Sequence, residues 1–190
     1  MHTFLESVIE IFRSSGHTTA QRVASNLANI PEYGFSKKFP PVPSLQYLDA
    51  ALSQPGAHPI VHEIVTLVNH LPWEVIDPEV ALPRKVAEHA FCQIAGPDGL
   101  LVDDTIRMGV FLQSPEVFYP PHSHNAEEVY FVLSGTALWQ QDSGSLVQHS
   151  PGTFIHHVPN QPHAMHTQKE ALLAIWGWSG DIGFESYRFH

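Results

Sequence analysis

The chain has 190 residues, which suits one domain with a real core. Acidic side chains outnumber basic ones by 19 to 9, giving a formal charge of -10 and no basic stripe, so nucleic acid and anionic membrane surfaces are excluded as partners. The one cysteine, Cys92, rules out an intrachain disulfide. The first residues lack a basic segment followed by an apolar run, and no apolar stretch is long enough to span a bilayer. The expectation is a cytoplasmic protein.

The first eighty residues read as helical. Phe4, Leu5, Val8, Ile9 and Phe12 recur at helical spacing, and Gly16 follows as a stop. Thr18 or Thr19 is placed to cap a second helix carrying Val23, Leu27 and Ile30. The proline-rich stretch from Pro31 to Pro43 reads as loop. Short helices are expected from Ser44 through Leu52 and around Ile60, Ile64, Leu67 and Val68, closing at Leu71-Pro72.

From about Glu88 the texture changes to short runs rich in Val, Ile, Phe and Trp between turn residues. His89 to Ala95, Thr105 to Gln113, Glu128 to Leu133, Thr136 to Gln141, Thr153 to His157 and Leu172 to Trp178 read as strands. Ser134-Gly135, Ser143-Gly144 and Pro151-Gly152 read as turns. The spacing suggests an antiparallel sandwich or barrel. The expected organisation is a helical cap over 1–85 packed on a barrel over 86–190, as one compact unit.

Histidine is the outlier, with fourteen copies, and the spacing of those after residue 121 carries the information. Residues two apart in a strand share a face, so His122 and His124 point the same way. Glu128, Tyr130 and Val132 share a face on the next strand. A hairpin between His124 and Glu128 would bring two imidazoles and a carboxylate together. That donor set suits one divalent transition metal (Fe, Zn, Mn, Co or Ni) and leaves positions open for substrate. Tyr130 then points at the metal, and a phenol beside a divalent cation is a usable base. Tyr119 lies at the mouth, just before Pro120-Pro121. No Lys or Arg occurs from Met108 through Gln168, whereas aromatic residues are plentiful. Trp176 and Trp178 share a face and offer a wall for a cationic group such as a sulfonium.

The spacing resembles the first motif of the cupin superfamily, with His122, His124, Glu128 and Gly135 in place. Glu116 stands where that motif has an upstream glycine. The second motif is matched by Pro151-Gly152, Pro159 and His163, with Thr167 where an asparagine often follows. The resemblance implies an α+β chain, mainly an antiparallel β-barrel (a double-stranded β-helix) with an N-terminal helical extension. It adds His163 as a fourth metal ligand. His149, His156, His157 and His166 receive no role.

The helical first half, His-x-His-x-x-x-Glu-x-Tyr, the upstream Tyr119 and the Trp178 region look most like the cupin dimethylsulfoniopropionate (DMSP) lyases of the DddQ type. That resemblance implies marine bacterial sulfur metabolism and cleavage of DMSP to dimethyl sulfide and acrylate. It assigns metal to His122, His124, Glu128 and His163, a metal contact or base to Tyr130, and substrate contacts to Tyr119 and Trp178. The partner is then a small sulfonium compound, and a homodimer through strand edges is an open option. Two other classes remain: a non-haem iron dioxygenase with the same ligands, and a non-catalytic ligand-binding barrel.

Overall fold

The computed structural model describes residues 2–31, 37–75 and 89–190. Part of the expected proline-rich loop and the expected boundary near residue 85 lie outside the described residues.

The chain opens with α1 (His2–Ser14) and α2 (Thr18–Leu27). Phe4, Val8 and Phe12 form the buried stripe of α1, as their spacing requires. Gly16 ends the helix with φ 76, a left-handed conformation that suits glycine. The N-cap of α2 is His17 rather than a threonine, and its side chain makes no cap bond. Ser15 Oγ instead accepts the His17 amide at 3.1 Å.

The third expected helix divides into a 3-10 turn, Pro43–Tyr47, and α3 (Leu48–Leu52). The fourth divides into α4 (Val61–Val65) and a 3-10 turn, Val68–His70. Helical reading fails at β1 (Trp73–Glu74), which pairs with β2 (His89–Gly96). Among the described residues, no helix is long and apolar enough to cross a membrane.

The remaining strands are β3 (Leu101–Val102), β4 (Ile106–Gln113), β5 (Phe118–Ser123), β6 (Ala126–Ser134), β7 (Ala137–Gln141), β8 (Val147–His149), β9 (Phe154–His157), β10 (His163–Thr167), β11 (Leu172–Gly180) and β12 (Arg188–Phe189). They form a seven-stranded sheet in the order β1-β2-β4-β11-β6-β9, with β3 against β2, and a five-stranded sheet in the order β12-β5-β10-β7-β8. The β2/β3 pair is parallel. The two sheets form the expected double-stranded β-helix, but among the described residues they are not hydrogen-bonded into one closed barrel; the helices lie on one side.

Alternation along β11 divides the core in two. Leu173 and Ile175 join Phe12, Val23 and Ala24 under the helices. Leu172, Ala174, Trp176 and Trp178 join Tyr119, Tyr130, Trp139 and Met165 in the second cluster. The larger sheet is therefore covered on both faces, which explains why β4 and β11 are apolar almost throughout.

Two motif positions show their physical reasons. Gly135 takes φ 74, and a Cβ there would lie 2.0 Å from the Ala171 carbonyl oxygen, so backbone approach demands glycine. Glu116 takes φ 60, the conformation glycine would supply, and its amide bonds the Gln168 carbonyl at 2.6 Å.

The expected hairpin between His124 and Glu128 is not formed. β5 belongs to the smaller sheet and β6 to the larger, so the chain changes sheets at His124-Asn125. Long-range pairing decides this: β5 bonds β10 and β12, whereas β6 bonds β11 and β9.

Candidate metal centre

Each sheet delivers part of the site. On the smaller sheet His122 pairs with His163 across β5 and β10. On the larger sheet Glu128 pairs with Trp178, and Tyr130 with Trp176, across β6 and β11. His124 comes from the crossing between the sheets. Ligand atoms of His124, Glu128 and His163 all lie within 4.8 Å of one another, and all three residues are buried. Glu128 Oε2 lies 3.2 Å from His124 Nε2 and 3.1 Å from His163 Nε2.

His122 stands beside this group, outside it. Its ring is 4.1 Å from that of His163, centroid to centroid. Tyr119 packs on its ring at 4.3 Å. Among the other late histidines, His156 bonds Glu127 at 2.8 Å, His149 packs on Trp139, and His166 packs on Phe118, all away from the cluster.

The backbone sets the imidazole tautomers. His122 Nδ1 lies 2.9 Å from the Pro120 carbonyl, His124 Nδ1 3.1 Å from that of Ala126, and His163 Nδ1 2.9 Å from that of Gln161. A carbonyl only accepts, so each Nδ1 carries a proton, and the lone pair of the corresponding neutral tautomer lies at Nε2. The Nε2 atoms of His124 and His163 both face the Glu128 carboxylate. His163 Nε2 makes no hydrogen bond despite its closeness to Oε2. Three electron-pair donors converging in a buried place fit a divalent cation, which satisfies all of them together.

Electrostatics agree. Burial raises the Glu128 carboxyl, but positive charge at the adjoining His124 and His163 positions outweighs it and holds the group well below the usual carboxylate range, and a cation between the rings would act in the same direction. Burial, reinforced by His163, pushes His122 well below its ordinary value, so its ring is neutral. Burial and then Glu128 raise the Tyr130 phenol well above its ordinary value.

The cluster borders a cavity of about 290 Å³, lined by Tyr119, His122, Glu128, Tyr130, Trp176 and Trp178 among others, with no Lys or Arg in its lining among the described residues. Trp178 also donates its indole N–H to Glu128 Oε1 at 2.6 Å. The sequence reading missed Tyr187, whose hydroxyl meets that of Tyr119 at 2.5 Å and whose ring stacks on His122 at 5.2 Å. Its signal was the period-two pair Tyr187 and Phe189, which line the cavity just before and within the edge strand β12.

Fold and site together define a cupin whose interior His/Glu cluster is compatible with a metal ion. The dimethylsulfoniopropionate lyase family profile matches residues 15–174, and the chain belongs to that family. The chain is 32% identical over 92 residues to the dimethylsulfoniopropionate lyase DddQ of Ruegeria pomeroyi, covering 48% of this chain and 45% of that protein. It is 31% identical over 121 residues to a putative dimethylsulfoniopropionate lyase DddL of Cereibacter sphaeroides, covering 62% and 49%. The chain thus spans about half the length of the curated relatives it matches. The crystal structure of DMSP lyase DddQ from Ruegeria pomeroyi DSS-3 superposes with a TM-score of 0.73 at 19% identity, covering 96% of this chain and 94% of that chain. This last likeness is one of fold.

Proposed function

We propose that this protein is a metal-dependent carbon–sulfur lyase that splits DMSP into dimethyl sulfide and acrylate. The observation that carries the reading is the buried His124, Glu128 and His163 cluster, set on an aromatic cavity whose lining has no cationic side chain among the described residues. Family membership supplies the substrate.

In this reading His124, Glu128 and His163 hold the cation, and His122, whose ring abuts His163, is the fourth donor. A bound divalent cation supplies Lewis acidity, polarising a carboxylate and stabilising negative charge that develops beside it. Tyr130 is the base. Burial and Glu128 hold its phenol well above the ordinary value, so this role needs a bound cation, whose charge would draw the phenol back down; the phenolate oxygen then takes a proton from the carbon next to the substrate carboxylate. The released electron pair becomes the carbon–carbon double bond, and the bond from the β-carbon to sulfur breaks with its pair on sulfur. Dimethyl sulfide leaves neutral, and acrylate remains. The rings of Tyr119, Trp176 and Trp178 face the sulfonium until that step, and among the described residues no lysine or arginine in the lining repels it. The helices of 1–85 act as a cap on the barrel of 86–190. The lone buried thiol, Cys92, suits a reducing cytoplasm, which belongs to the same proposal.

The test supplies DMSP to the protein loaded with iron, zinc, manganese, cobalt or nickel in turn and measures dimethyl sulfide in the headspace. Release with at least one metal, lost on chelation, supports the reading. No release with any of them, or oxygen uptake instead, overturns it.

A further inference from the structure

His157 is fully buried at the end of β9, directly opposite Glu128 on β6, so its side chain enters the barrel on the same face as that carboxylate. Its ring lies flat against His163, with centroids 3.9 Å apart and planes at 11°. No other ring described around the cluster lies so parallel to an imidazole of the donor group.

Its tautomer is the reverse of its neighbours'. The Gln141 side-chain nitrogen lies 2.6 Å from the His156 carbonyl, which only accepts, so that atom is the amide donor. The same nitrogen lies 3.2 Å from His157 Nδ1, which must therefore accept. A neutral His157 then carries its proton on Nε2. That nitrogen is buried and bonds no protein group among the described residues. A protonated nitrogen is no metal ligand, so the amide keeps a nearby histidine from competing for a cation.

His163 is held on one side by its pairing with Gln141 of β7 and by the Gln161 carbonyl at Nδ1. It is the first residue of β10, and the pairing of β10 with β5 is irregular between His163 and Met165. Strand geometry alone therefore leaves its ring less fixed than a side chain in mid-strand, whereas a ligand must hold its direction closely.

We propose that His157 is a positioning residue for His163, a flat buttress whose ring plane aims the ligand and whose tautomer is locked by Gln141. This rests on the metal-centre reading above. The buttress acts through its face, so a planar ring without nitrogens preserves the function and a bulky aliphatic group does not.

The experiment titrates the metal-stripped full chain with cobalt, following visible absorption and affinity, for the wild type, His157→Phe and His157→Leu. The melting temperature of each metal-free protein is measured alongside, since both substitutions fill the space. Expected are affinity within about threefold of wild type for His157→Phe and a loss of about tenfold to a hundredfold, with an altered spectrum, for His157→Leu, at similar metal-free melting temperatures. Equal affinities and spectra for the two variants overturn the buttress while the centre stands. A loss in His157→Leu matched by an equal fall in metal-free melting temperature also overturns it. A wild type that binds no cobalt overturns the centre and the buttress together.

Discussion

The Trp178 indole N–H donates to Glu128 Oε1 at 2.6 Å, so a ring that walls the cavity also orients the carboxylate of the donor cluster. Trp178→Phe keeps most of the wall and removes the donor. We expect metal affinity to fall by about tenfold or more, because an outer partner that orients a ligand contributes on that scale. Competition with a coloured chelator measures it. Unchanged affinity would reduce Trp178 to a wall residue.

Tyr130→Phe is expected to leave the bound metal in place and to lower dimethyl sulfide release by about a hundredfold or more, the usual range for loss of a general base. Metal content by mass spectrometry and turnover by gas chromatography must be read on the same sample. Near-normal turnover with metal retained assigns the proton transfer elsewhere.

Chelation removes a ligand that binds the folded state. Metal-loaded wild type should therefore be more stable than the stripped protein, by about 2.7 kcal/mol when free metal is at a hundredfold its Kd. Glu128→Gln removes the carboxylate at the centre of the cluster, so its melting temperature should no longer respond to metal. A response of wild-type size in that variant would move the site away from Glu128.

Stability should fall in mild acid through His89. Burial lowers its imidazole from 6.5 to about 4. Above 6.5 both folded and unfolded forms are neutral and the residue contributes no pH dependence. As pH falls from 6.5 towards 4, the unfolded chain takes up a proton that the fold refuses, and stability drops. The full effect is on the order of 3 kcal/mol. Urea midpoints at about pH 7 and about pH 4.5 should differ less in His89→Phe than in the wild type.

Glu116 adopts φ 60 at the place where the motif has glycine. Glu116→Gly relieves backbone strain of about 1 to 2 kcal/mol but loosens the unfolded chain, for a net gain of about 0.5 kcal/mol. Glu116→Val, with its branched Cβ, should instead cost about 1 kcal/mol or more. Thermal unfolding of the two variants should therefore bracket the wild type, and the reverse order would refute the assignment of strain.

The sequence by itself determined what depends on local period and composition. Helical spacing placed Phe4, Val8 and Phe12 on one buried stripe of α1, and alternation placed Trp176 and Trp178 on one face of β11. The order of His122, His124, Glu128, Gly135 and His163 was enough to reach the cupin fold, and the gap in Lys and Arg foretold a cavity wall without cationic side chains among the described residues. Tertiary structure decided which strand pairs with which. It put β5 and β6 in different sheets, set the pairs His122 with His163 and Glu128 with Trp178, and brought Tyr187 over His122 from the far end of the chain. It also set the hydrogen-bond role of Nδ1 on four imidazoles, through carbonyls for His122, His124 and His163 and the Gln141 amide for His157. Side-chain period is written into neighbouring residues, whereas strand partners and hydrogen-bond directions are chosen by groups distant in sequence, whose contacts exist once the chain has folded.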